Sequence, residues 1–554
     1  MDLVITALTG AVGSYDTTVP TPVGLASEAA LHVGDPICVH LQFCLNLCAF
    51  ASLREIFSVR VYSRPFAVCL AFPMTRKSFL KRLSTLPILS ALWPHLMRSA
   101  GGASPSPSPA SRVLPSDPGW PDNAAWEKLN QAVGGRLIKV ESPLAGYSTA
   151  NDTAHANILK DLQNPFYIGD QPGATQTTGW VDAWMSAPSV YAIAAQTTDD
   201  VVAGVNFART NNLRLVVKGG GHSYLGGSNA PDSLLISTRV MNKVVLLDAF
   251  VGQGCAGHQS SSTRRNHRIR RHVDHLFNPH WGETVSLRDN NEIAITMLFQ
   301  GLAKSEVENL WNPFFDRIKK SPDKYTIASD PIILAVPTQK FWDAAFLKKY
   351  LPQAMHPDSR ERAPEKYYWW DADNGQIGMY LYGYQSTWLP ETLLAKDQTT
   401  KLVDALFSAT RHFRATFHFN KGLAGAPPEE IAAARDTPMN PAVLDAFALV
   451  IIGGGGPAVY PGVPGHEPDL TEARQNAQKI GQAMAELRKI VPKPASYVNE
   501  TNYFEESWQE SFWGPNYARL KTIKEKYDPT GLFFVHHGVG SEAWTPDGFT
   551  RLKT

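Results

Sequence analysis

The chain has 554 residues, 44% hydrophobic and 19% charged, which is ordinary for a globular protein of two or three domains. Its formal net charge of +1 argues against a surface built for nucleic acid or for anionic membranes. Four of the five cysteines precede Met74, which excludes a disulfide framework or a cysteine metal site in the body, and no stretch has the roughly 20 apolar residues of a membrane span.

The N-terminal part has the pattern of a targeting segment rather than that of a folded domain. Residues 1–73 show no sustained period and receive no role. At Met74 a basic stretch precedes an apolar run and then small residues, which is the order of an export signal, and a Ser/Pro-rich stretch ending at Ser116 is typical of a linker. We expect residues 74–116 to direct export to the periplasm or out of the cell, with Met74 as the start. A basic surface helix is the alternative.

The basic stretch itself resembles a twin-arginine signal. Thr75-Arg76-Lys77 opens it, with Lys77 where the second arginine normally stands. That route exports proteins that have already folded.

A strand, a helix and a second strand lead into a glycine-rich turn. Ala187 to Gln196 predicts a strand, and an amphipathic helix follows as far as Arg209, with Thr198 as its N-cap. Leu213 to Val217 is rich in β-formers. Lys218 and three glycines come next. Glycines permit unusual dihedrals and let backbone N–H groups approach a pyrophosphate closely. Read alone, the motif fits a tight turn with a surface histidine equally well.

The wider context is more specific. Pro188-Ser189-Val190, the run from Arg214 to Tyr224 and Asn242-Lys243-Val244 together resemble the first half of the FAD domain shared by the vanillyl-alcohol-oxidase and berberine-bridge families. In these families the histidine matching His222 carries the flavin through its 8α carbon, because an imidazole nitrogen is a nucleophile. The residues that the resemblance assigns to FAD are Lys218, Gly219, Gly220, Gly221, His222, Ser223, Tyr224, Gly226, Gly227 and Asn499. Cys255 lacks the glycine turn of a second flavin bond and is interpreted as a buried thiol.

The resemblance is interrupted after Gln259. A basic stretch from Ser260 to His272 replaces the strands that complete the flavin domain, and family-like sequence resumes at Phe277. We interpret the stretch as a junction left by a deletion or an incorrect gene model. A nucleic-acid patch and a histidine metal site are weaker alternatives. We expect the chain as written to bind FAD weakly or not at all.

The second half predicts mixed elements. Strands are expected at Glu292–Phe299, Gln376–Tyr384, Ala415–Asn420 and Val450–Ile452, and helices at Ser305–Ile318, Lys396–Ser408 and Glu472–Val491. In the helix capped by Ser305, the apolar face comprises Val307, Leu310, Trp311 and Phe314. The resemblance makes this the substrate domain, an antiparallel sheet with helices on one face. His418 and Asn420 either line a pocket on that sheet or lie exposed at its edge.

The C-terminal sequence resembles the berberine-bridge module. Its Tyr497-x-Asn499 strand would return to the flavin, and Glu500 stands where the family often has a catalytic tyrosine. Glu500 and Tyr497 are therefore the candidate catalytic residues, because a buried carboxylate can accept a substrate proton. A merely solvated Glu500 is the alternative. Asp528-Pro529 is expected to end a helix.

The resemblance implies an α+β fold, a two-domain PCMH-type FAD-binding fold that is incomplete. We divide the chain into an unassigned extension (1–73), signal and linker (74–116), a truncated FAD domain (117–275), a substrate domain (276–460) and the C-terminal module (461–554). The implied function is an oxidase that moves a hydride from an alcohol, sugar or amine to FAD, with O₂ as acceptor and no metal. The alternative is a non-catalytic remnant that binds a small aromatic ligand without flavin.

Overall fold

The computed structural model describes residues 30–33, 111–145, 147, 152–242, 249–251, 259–261, 281–299, 302–335, 340, 343–419, 421–491, 493 and 495–552. The chain divides into one compact unit of residues 1–52 and 112–554 and a second of residues 53–111, of which only Ser111 is described. The predicted export signal, Cys255, the basic stretch beyond Ser261 and Asn420 lie outside the described residues.

The strands form two main sheets and two short ribbons. Their bounds are β1 Ala30–Val33, β2 Leu137–Lys139, β3 Gly179–Trp180, β4 Trp184–Met185, β5 Tyr191–Ala194, β6 Arg214–Lys218, β7 Ser233–Ser237, β8 Ala249–Val251, β9 Gln259–Ser261, β10 Trp281–Leu287, β11 Glu292–Phe299, β12 Tyr325–Ile327, β13 Met355–Pro357, β14 Tyr368–Trp370, β15 Tyr380–Pro390, β16 Ala415–Phe419 and β17 Ala446–Gly456.

The helices lie mainly between and after these strands. Their bounds are α1 Asn123–Ala132, α2 Asp152–Asp161, α3 Pro165–Asp170, α4 Thr198–Thr210, α5 Lys304–Lys319, α6 Ala344–Tyr350, α7 Thr399–Thr410, α8 Pro428–Arg435, α9 Leu470–Arg488, α10 Trp508–Trp513 and α11 Tyr517–Tyr527.

The smaller sheet has the order β2-β5-β7-β6, in which β7 pairs in parallel with both β5 and β6. Parallel strands need a crossover, and α4 supplies it between β5 and β6. Helices α1 and α4 cover one face, with Trp126, Ile193, Leu234 and Ile236 in the core between them. Strand β6 ends directly at the glycine turn, so this sheet positions the turn.

The larger sheet has the order β12-β1-β11-β10-β16-β17-β15-β3-β4 and is antiparallel except where β15 meets β3. Helices α7 and α9 pack together, and α9 lies on β15 and β17. The resulting core includes Phe417, Phe447, Leu406 and Ile480, each at most 2% exposed. The expected α+β class and the antiparallel sheet with helices are confirmed.

Two boundaries differ from the sequence-based division. Strand β1, from the unassigned residues 1–73, pairs with β11 and β12 within the large sheet. Arg112, placed in the linker, is 4% exposed and donates hydrogen bonds to the carbonyl oxygens of Gly548, Leu213 and Gly531. The folded region therefore includes residues before 117.

Several local predictions need correction. Helix α4 is capped by Thr197, whose hydroxyl accepts from the Asp200 amide, and not by Thr198. Helix α5 starts at Lys304 after Ala303, so Ser305 is inside the helix, and Leu310 is 36% exposed while Phe315 and Ile318 are buried. The strand expected from Gln376 begins at Tyr380 because residues 371–376 form a 3₁₀ helix.

The Tyr497-x-Asn499 segment is not a strand. It is irregular chain followed by a turn, in which the Glu500 amide donates to the Tyr497 carbonyl oxygen at 3.0 Å. Hydrogen bonds from side chains and backbone to β15 hold this segment in place. They do not form the regular ladder of a paired strand. Helix α11 ends as predicted before Asp528-Pro529.

Candidate functional site

The glycine turn after β6 has a conformation that its residues enforce. Gly221 and Gly226 have φ of +82° and +72°, a region that other residues rarely adopt. The Ser223 amide donates to Ser228 Oγ and the Gly227 amide to Ser223 Oγ, both at 3.1 Å. A Cβ at Gly226 would lie 2.9 Å from the Trp184 indole, so only glycine fits there.

His222 is exposed on this turn. Its ring runs beside Gly220, where a Cβ would come within 3.0 Å of Cδ2 and 3.2 Å of Nε2. A Cβ at Gly219 would meet nothing closer than 3.7 Å. The turn therefore presents open backbone next to an accessible imidazole.

Lys218 is placed differently from its neighbours in the motif. It is 3% exposed, and its ammonium donates to the carbonyl oxygens of Pro172 at 2.7 Å and Ala174 at 2.9 Å, with Asn229 Oδ1 at 3.3 Å. Burial lowers the pKa of Lys218 to about 8. The Lys218 ammonium thus holds the segment that contains Pro172 and Ala174 close to the glycine turn.

Hydrogen bonds through Gln176 and Trp184 join the glycine turn to the large sheet. The Gln176 amide donates to the Gly221 carbonyl oxygen at 2.9 Å, and the Gly378 amide donates to the Gln176 carbonyl oxygen at 2.7 Å. The Trp184 indole N–H also donates to the Tyr224 carbonyl oxygen at 3.1 Å. These bonds bring the turn next to the beginning of β15.

The C-terminal module lies along β15 on the other side of the site. The Tyr497 amide donates to Ser386 Oγ at 3.0 Å, and Ser496 Oγ donates to the Ser386 carbonyl oxygen at 2.9 Å. Asn499 is exposed, and its amide donates to the Tyr497 hydroxyl oxygen at 3.0 Å. Glu500 follows in the same turn and is half-buried.

Tyr224 and Tyr384 connect the two sides. Their ring centroids are 4.9 Å apart with 51° between the planes. The Tyr224 hydroxyl also donates to Gln376 Oε1 at a long 3.4 Å. Tyr224 was predicted to belong to this site from its sequence motif, whereas Tyr384 and Gln376 have no such motif.

The Tyr384 ring lies on a glycine. Gly453 is its partner in the β15–β17 register, and a Cβ there would come within 2.4 Å of the ring. A Cβ at Gly456 would clash with the Tyr382 hydroxyl oxygen, and a Cβ at Gly454 would lie 2.8 Å from the Phe413 ring. The run of four glycines in β17 is the signal that could have pointed to aromatic side chains packed on this strand.

Glu500 acts electrostatically on both phenols. Burial raises the pKa of Glu500, an effect that Lys421 opposes. Burial and the Glu500 carboxylate raise the pKa of Tyr224. Burial raises the pKa of Tyr384 as well, and Tyr224 and Glu500 add to the effect. The site therefore holds a carboxyl group that loses its proton closer to neutrality, beside two protonated phenols.

His418 lies near the same cation. It is half-buried, and burial, with a smaller contribution from Lys421, lowers its pKa to about 4. The imidazole is therefore neutral at pH 7. Lys421, which the sequence analysis overlooked, is exposed and stands after β16 at the rim.

Comparisons with known proteins match both halves of this site. The model of an FAD binding domain matches residues 189–260, which contain His222, and the model "Berberine and berberine like" matches residues 496–540, which contain Glu500. The chain is 23% identical to the FAD-linked oxidoreductase notD' of Aspergillus versicolor over 82% of this chain and 92% of that protein. It is also 23% identical to the bifunctional decalin synthase calF of Penicillium decumbens, over 85% and 100%.

The fold is similar to that of a solved flavoprotein. The VAO-type flavoprotein MtVAO713 from Myceliophthora thermophila C1 superposes with a TM-score of 0.58 at 15% identity, over 80% of this chain and all of that one. In these two segments and in its fold, the chain is similar to berberine-bridge-like, PCMH-type FAD-linked oxidoreductases. This family is enzymatic, and FAD is its cofactor.

The alignment with notD' is longer than the part of this chain that it covers. The alignment with notD' has 578 positions, but 82% of the 554 residues is about 454 residues, so roughly 120 positions have no residue of this chain. This total agrees with the absence of a segment that the relatives have. Among the described residues no cluster of metal ligands occurs, and no helix has the length and apolar character to cross a membrane.

Proposed function

We propose that this FAD-linked oxidoreductase is an oxidase that removes a hydride from an alcohol, sugar or amine carbon. When bound, FAD supplies the hydride acceptor, which O₂ reoxidises with release of peroxide. The observation that supports this most is the meeting of the His222 turn with Glu500 and the Tyr224–Tyr384 pair across β15.

The chain's residues fit FAD at the turn. Gly219 and Gly220 leave open backbone beside the exposed His222 ring, and Asn229, 8% exposed, has an amide nitrogen with no partner among the described residues. An unpartnered buried donor is costly unless a ligand or water satisfies it. We assign the attachment of FAD to His222, and the turn as its cradle.

Glu500 is the general base in the proposed reaction. Hydride loss from a carbon bearing a hydroxyl or amine requires that the heteroatom lose its proton, and a carboxylate whose pKa is raised is a suitable acceptor. The Tyr224 hydroxyl can donate a hydrogen bond to the same heteroatom. Tyr497 supports the turn that carries Glu500, since its carbonyl oxygen accepts from the Glu500 amide.

Flavin content and peroxide release test this function together. Because part of the cofactor domain is missing, the full chain, expressed and purified with added FAD, should hold less than one flavin per chain, and some of that flavin should stay with the protein after acid precipitation. Candidate alcohols, sugars and amines are then screened for peroxide release under air. Flavin without peroxide in the screen would leave a dehydrogenase, and a chain that takes up no flavin even in an excess of FAD would contradict the proposal.

A second candidate is a ligand-binding remnant without flavin. A cavity of about 210 Å³ lies in the C-terminal module, lined by Phe533, Phe534, Val535 and Trp544 among others. Its volume and aromatic lining suit a small aromatic ligand. Binding of indole to flavin-free protein, detected by calorimetry and lost in Trp544→Ala, would support this candidate.

Localisation is also a proposal. The signal-like order of residues after Met74 supports export, and Arg112, close after the Ser/Pro-rich stretch, is already buried. The enzyme would then act on substrates in the periplasm or outside the cell.

A further inference from the structure

Five aromatic side chains form a continuous row through the C-terminal module. Tyr503 and His536 stack with ring centroids 3.8 Å apart, and the centroids of His536 and His537 are also 3.8 Å apart. His537 in turn stacks on Trp508 at 5.4 Å, with 11° between the planes. The Trp508 ring meets Tyr517 edge-on at 5.4 Å. Each step of the row therefore joins two rings at the separation of direct aromatic contact.

The inner end of the row approaches the glycine turn. The Trp180 ring centroid lies 6.2 Å from that of Tyr503. Trp180 is directly opposite Trp184 in the β3–β4 register, so both side chains are on one face of the sheet. The Trp184 indole lies against the turn, where a Cβ at Gly226 would come within 2.9 Å of it, and its N–H donates to the Tyr224 carbonyl oxygen. The row thus continues through two indoles to the turn itself.

The outer end of the row has a proton acceptor in place. Tyr517, half-buried at the start of α11, donates its hydroxyl hydrogen to Glu542 Oε2 at 2.5 Å, and Lys521 pairs with the same carboxylate at 3.0 Å. Burial opposes ionisation of Glu542, but the hydrogen bonds from Tyr517 and Lys521 lower its pKa. A phenol that loses an electron becomes a strong acid, so an ionised carboxylate at this distance can take its proton at once.

The middle of the row is maintained against an unfavourable backbone. His537 has a φ of +57°, in the left-handed region that side chains rarely adopt, and its buried Nδ1 has no hydrogen-bond partner among the described residues. His536 Nε2 donates to the Tyr503 carbonyl oxygen at 2.8 Å, which fixes the stack. The strained backbone and the unpaired nitrogen both weaken the fold, which indicates that the position of the His537 ring matters for another reason.

We propose that this row conducts electrons from Tyr517 towards the glycine turn. A one-electron oxidant formed at the turn, of the class of a light-excited flavin, takes an electron from Trp184 and is itself reduced by one electron. Electrons then move inward from ring to ring, with the two imidazoles as close-packed bridges, until Tyr517 is oxidised and its proton passes to Glu542. A thiol or ascorbate-type reductant in solvent returns one electron to the tyrosyl radical, and the proton comes back from Glu542.

This activity goes beyond the proposed oxidase function. Hydride transfer moves two electrons together between substrate and flavin, whereas the row moves one electron at a time. It carries an oxidising equivalent away from the phenols of Tyr224 and Tyr384 to a side chain that a reductant in solvent can reach.

A photo-oxidant attached at His222 tests the row in the flavin-free full chain. A ruthenium bipyridine complex is coordinated to the exposed imidazole, and a light flash with an irreversible cobalt(III) ammine quencher generates a one-electron oxidant there. Electron paramagnetic resonance should then detect a tyrosyl radical. Tyr517→Phe should remove this signal, and Trp508→Phe should remove most of it. His222→Ala, labelled in the same way, gives the background from other histidines.

Tyr527→Phe is the matched control, because Tyr527 ends the same helix and is 75% exposed, and it should leave the signal unchanged. Glu542→Gln should lower the radical yield, because an amide does not take up the phenolic proton. An unaltered signal in Tyr517→Phe or in Trp508→Phe would overturn the route, as would the absence of a radical in the otherwise unaltered chain. Since Tyr517→Phe removes a single oxygen atom, the test stands even when Trp508→Phe does not fold. Flavin and turnover are not used, so a lack of oxidase activity would count against the proposed function alone.

Discussion

The ammonium nitrogen of Lys218 lies 2.7 Å from the carbonyl oxygen of Pro172. This bond joins the last residue of β6 to a segment more than forty residues earlier in the chain. Lys218, the first residue of the glycine motif, therefore supports the turn through a buried contact. We expect it to contribute to the free energy of folding.

Replacing Lys218 should destabilise the fold. Lys218→Met leaves the carbonyl oxygens of Pro172 and Ala174 buried without their charged donor, so the free energy of unfolding should fall by about 3 kcal/mol. Urea denaturation measures this. Lys139→Met, at an exposed position of β2, is the control and should change stability by less than about 0.5 kcal/mol. Equal effects of the two variants would contradict the buried role.

Lys218 should also make stability depend on pH. Its pKa in the folded chain is about 8, below the ordinary lysine value of 10.5, so between these values the unfolded chain binds more protons. The free energy of unfolding should therefore rise as pH increases from about 8 to 10.5. Below pH 8 the folded chain carries the whole cost of burying the charged ammonium. Urea midpoints across this range, compared with those of Lys218→Met, isolate the effect. A parallel pH dependence in both proteins would rule it out.

Flavin attachment should depend on His222. Because part of the cofactor domain is missing, we expect less than one flavin per chain, but the fraction that survives acid precipitation should disappear in His222→Ala. His466→Ala, in the loop after β17, serves as the control and should retain it. Absorbance of the precipitated and redissolved protein reports the attachment. Flavin that stays bound in His222→Ala would mean that another residue carries it.

Glu500 should govern the pH dependence of turnover. Burial raises its pKa, and its protonated form cannot accept a proton, so the rate should fall as pH drops through that pKa. Glu500→Gln should lower kcat by about 10²- to 10⁴-fold and remove this acidic limb. Glu505→Gln is a close control, because burial also raises the pKa of Glu505 although its electrostatic partners are Arg488 and Glu506. An unaltered acidic limb in Glu500→Gln would exclude it as the base.

Export should leave a defined N-terminus. We expect mature protein recovered from the periplasm or the medium to begin between the small residues after Leu96 and the buried Arg112. N-terminal sequencing decides this. Peptides from residues 1–73 in the mature protein would contradict Met74 as the start and would agree with a structural role for β1.

Local patterns in the sequence predicted much of the fold. The strand Glu292–Phe299 was predicted to the residue, and the strand, helix and strand before His222 were placed within a few positions. These elements have strong periodicity or β-branched runs. Thr197 was missed as a cap because Thr198 is chemically equivalent, and only the observed bond to Asp200 separates them.

The parts of the site that were not predicted from the sequence depend on contacts between residues far apart in the chain. Tyr384 reaches Tyr224 only because β15 pairs with β17 in one register and because Gln176 bridges the turn to Gly378. A strand's register is set by the whole sheet and cannot be found from spacing within one segment. In the same way, the carbonyl oxygens that hold Lys218 belong to irregular chain without a sequence signature.

The glycines of β17 make this strand dependent on its neighbours. Gly453 to Gly456 have no side chains with which to restrict their own backbone, and glycine within a strand loses more chain entropy than other residues. The rings of Tyr384, Tyr382 and Phe413 occupy the space above them. Trimming any of these rings would therefore loosen the backbone beneath it, and amide hydrogen exchange in the glycine run would accelerate although no backbone atom had been altered.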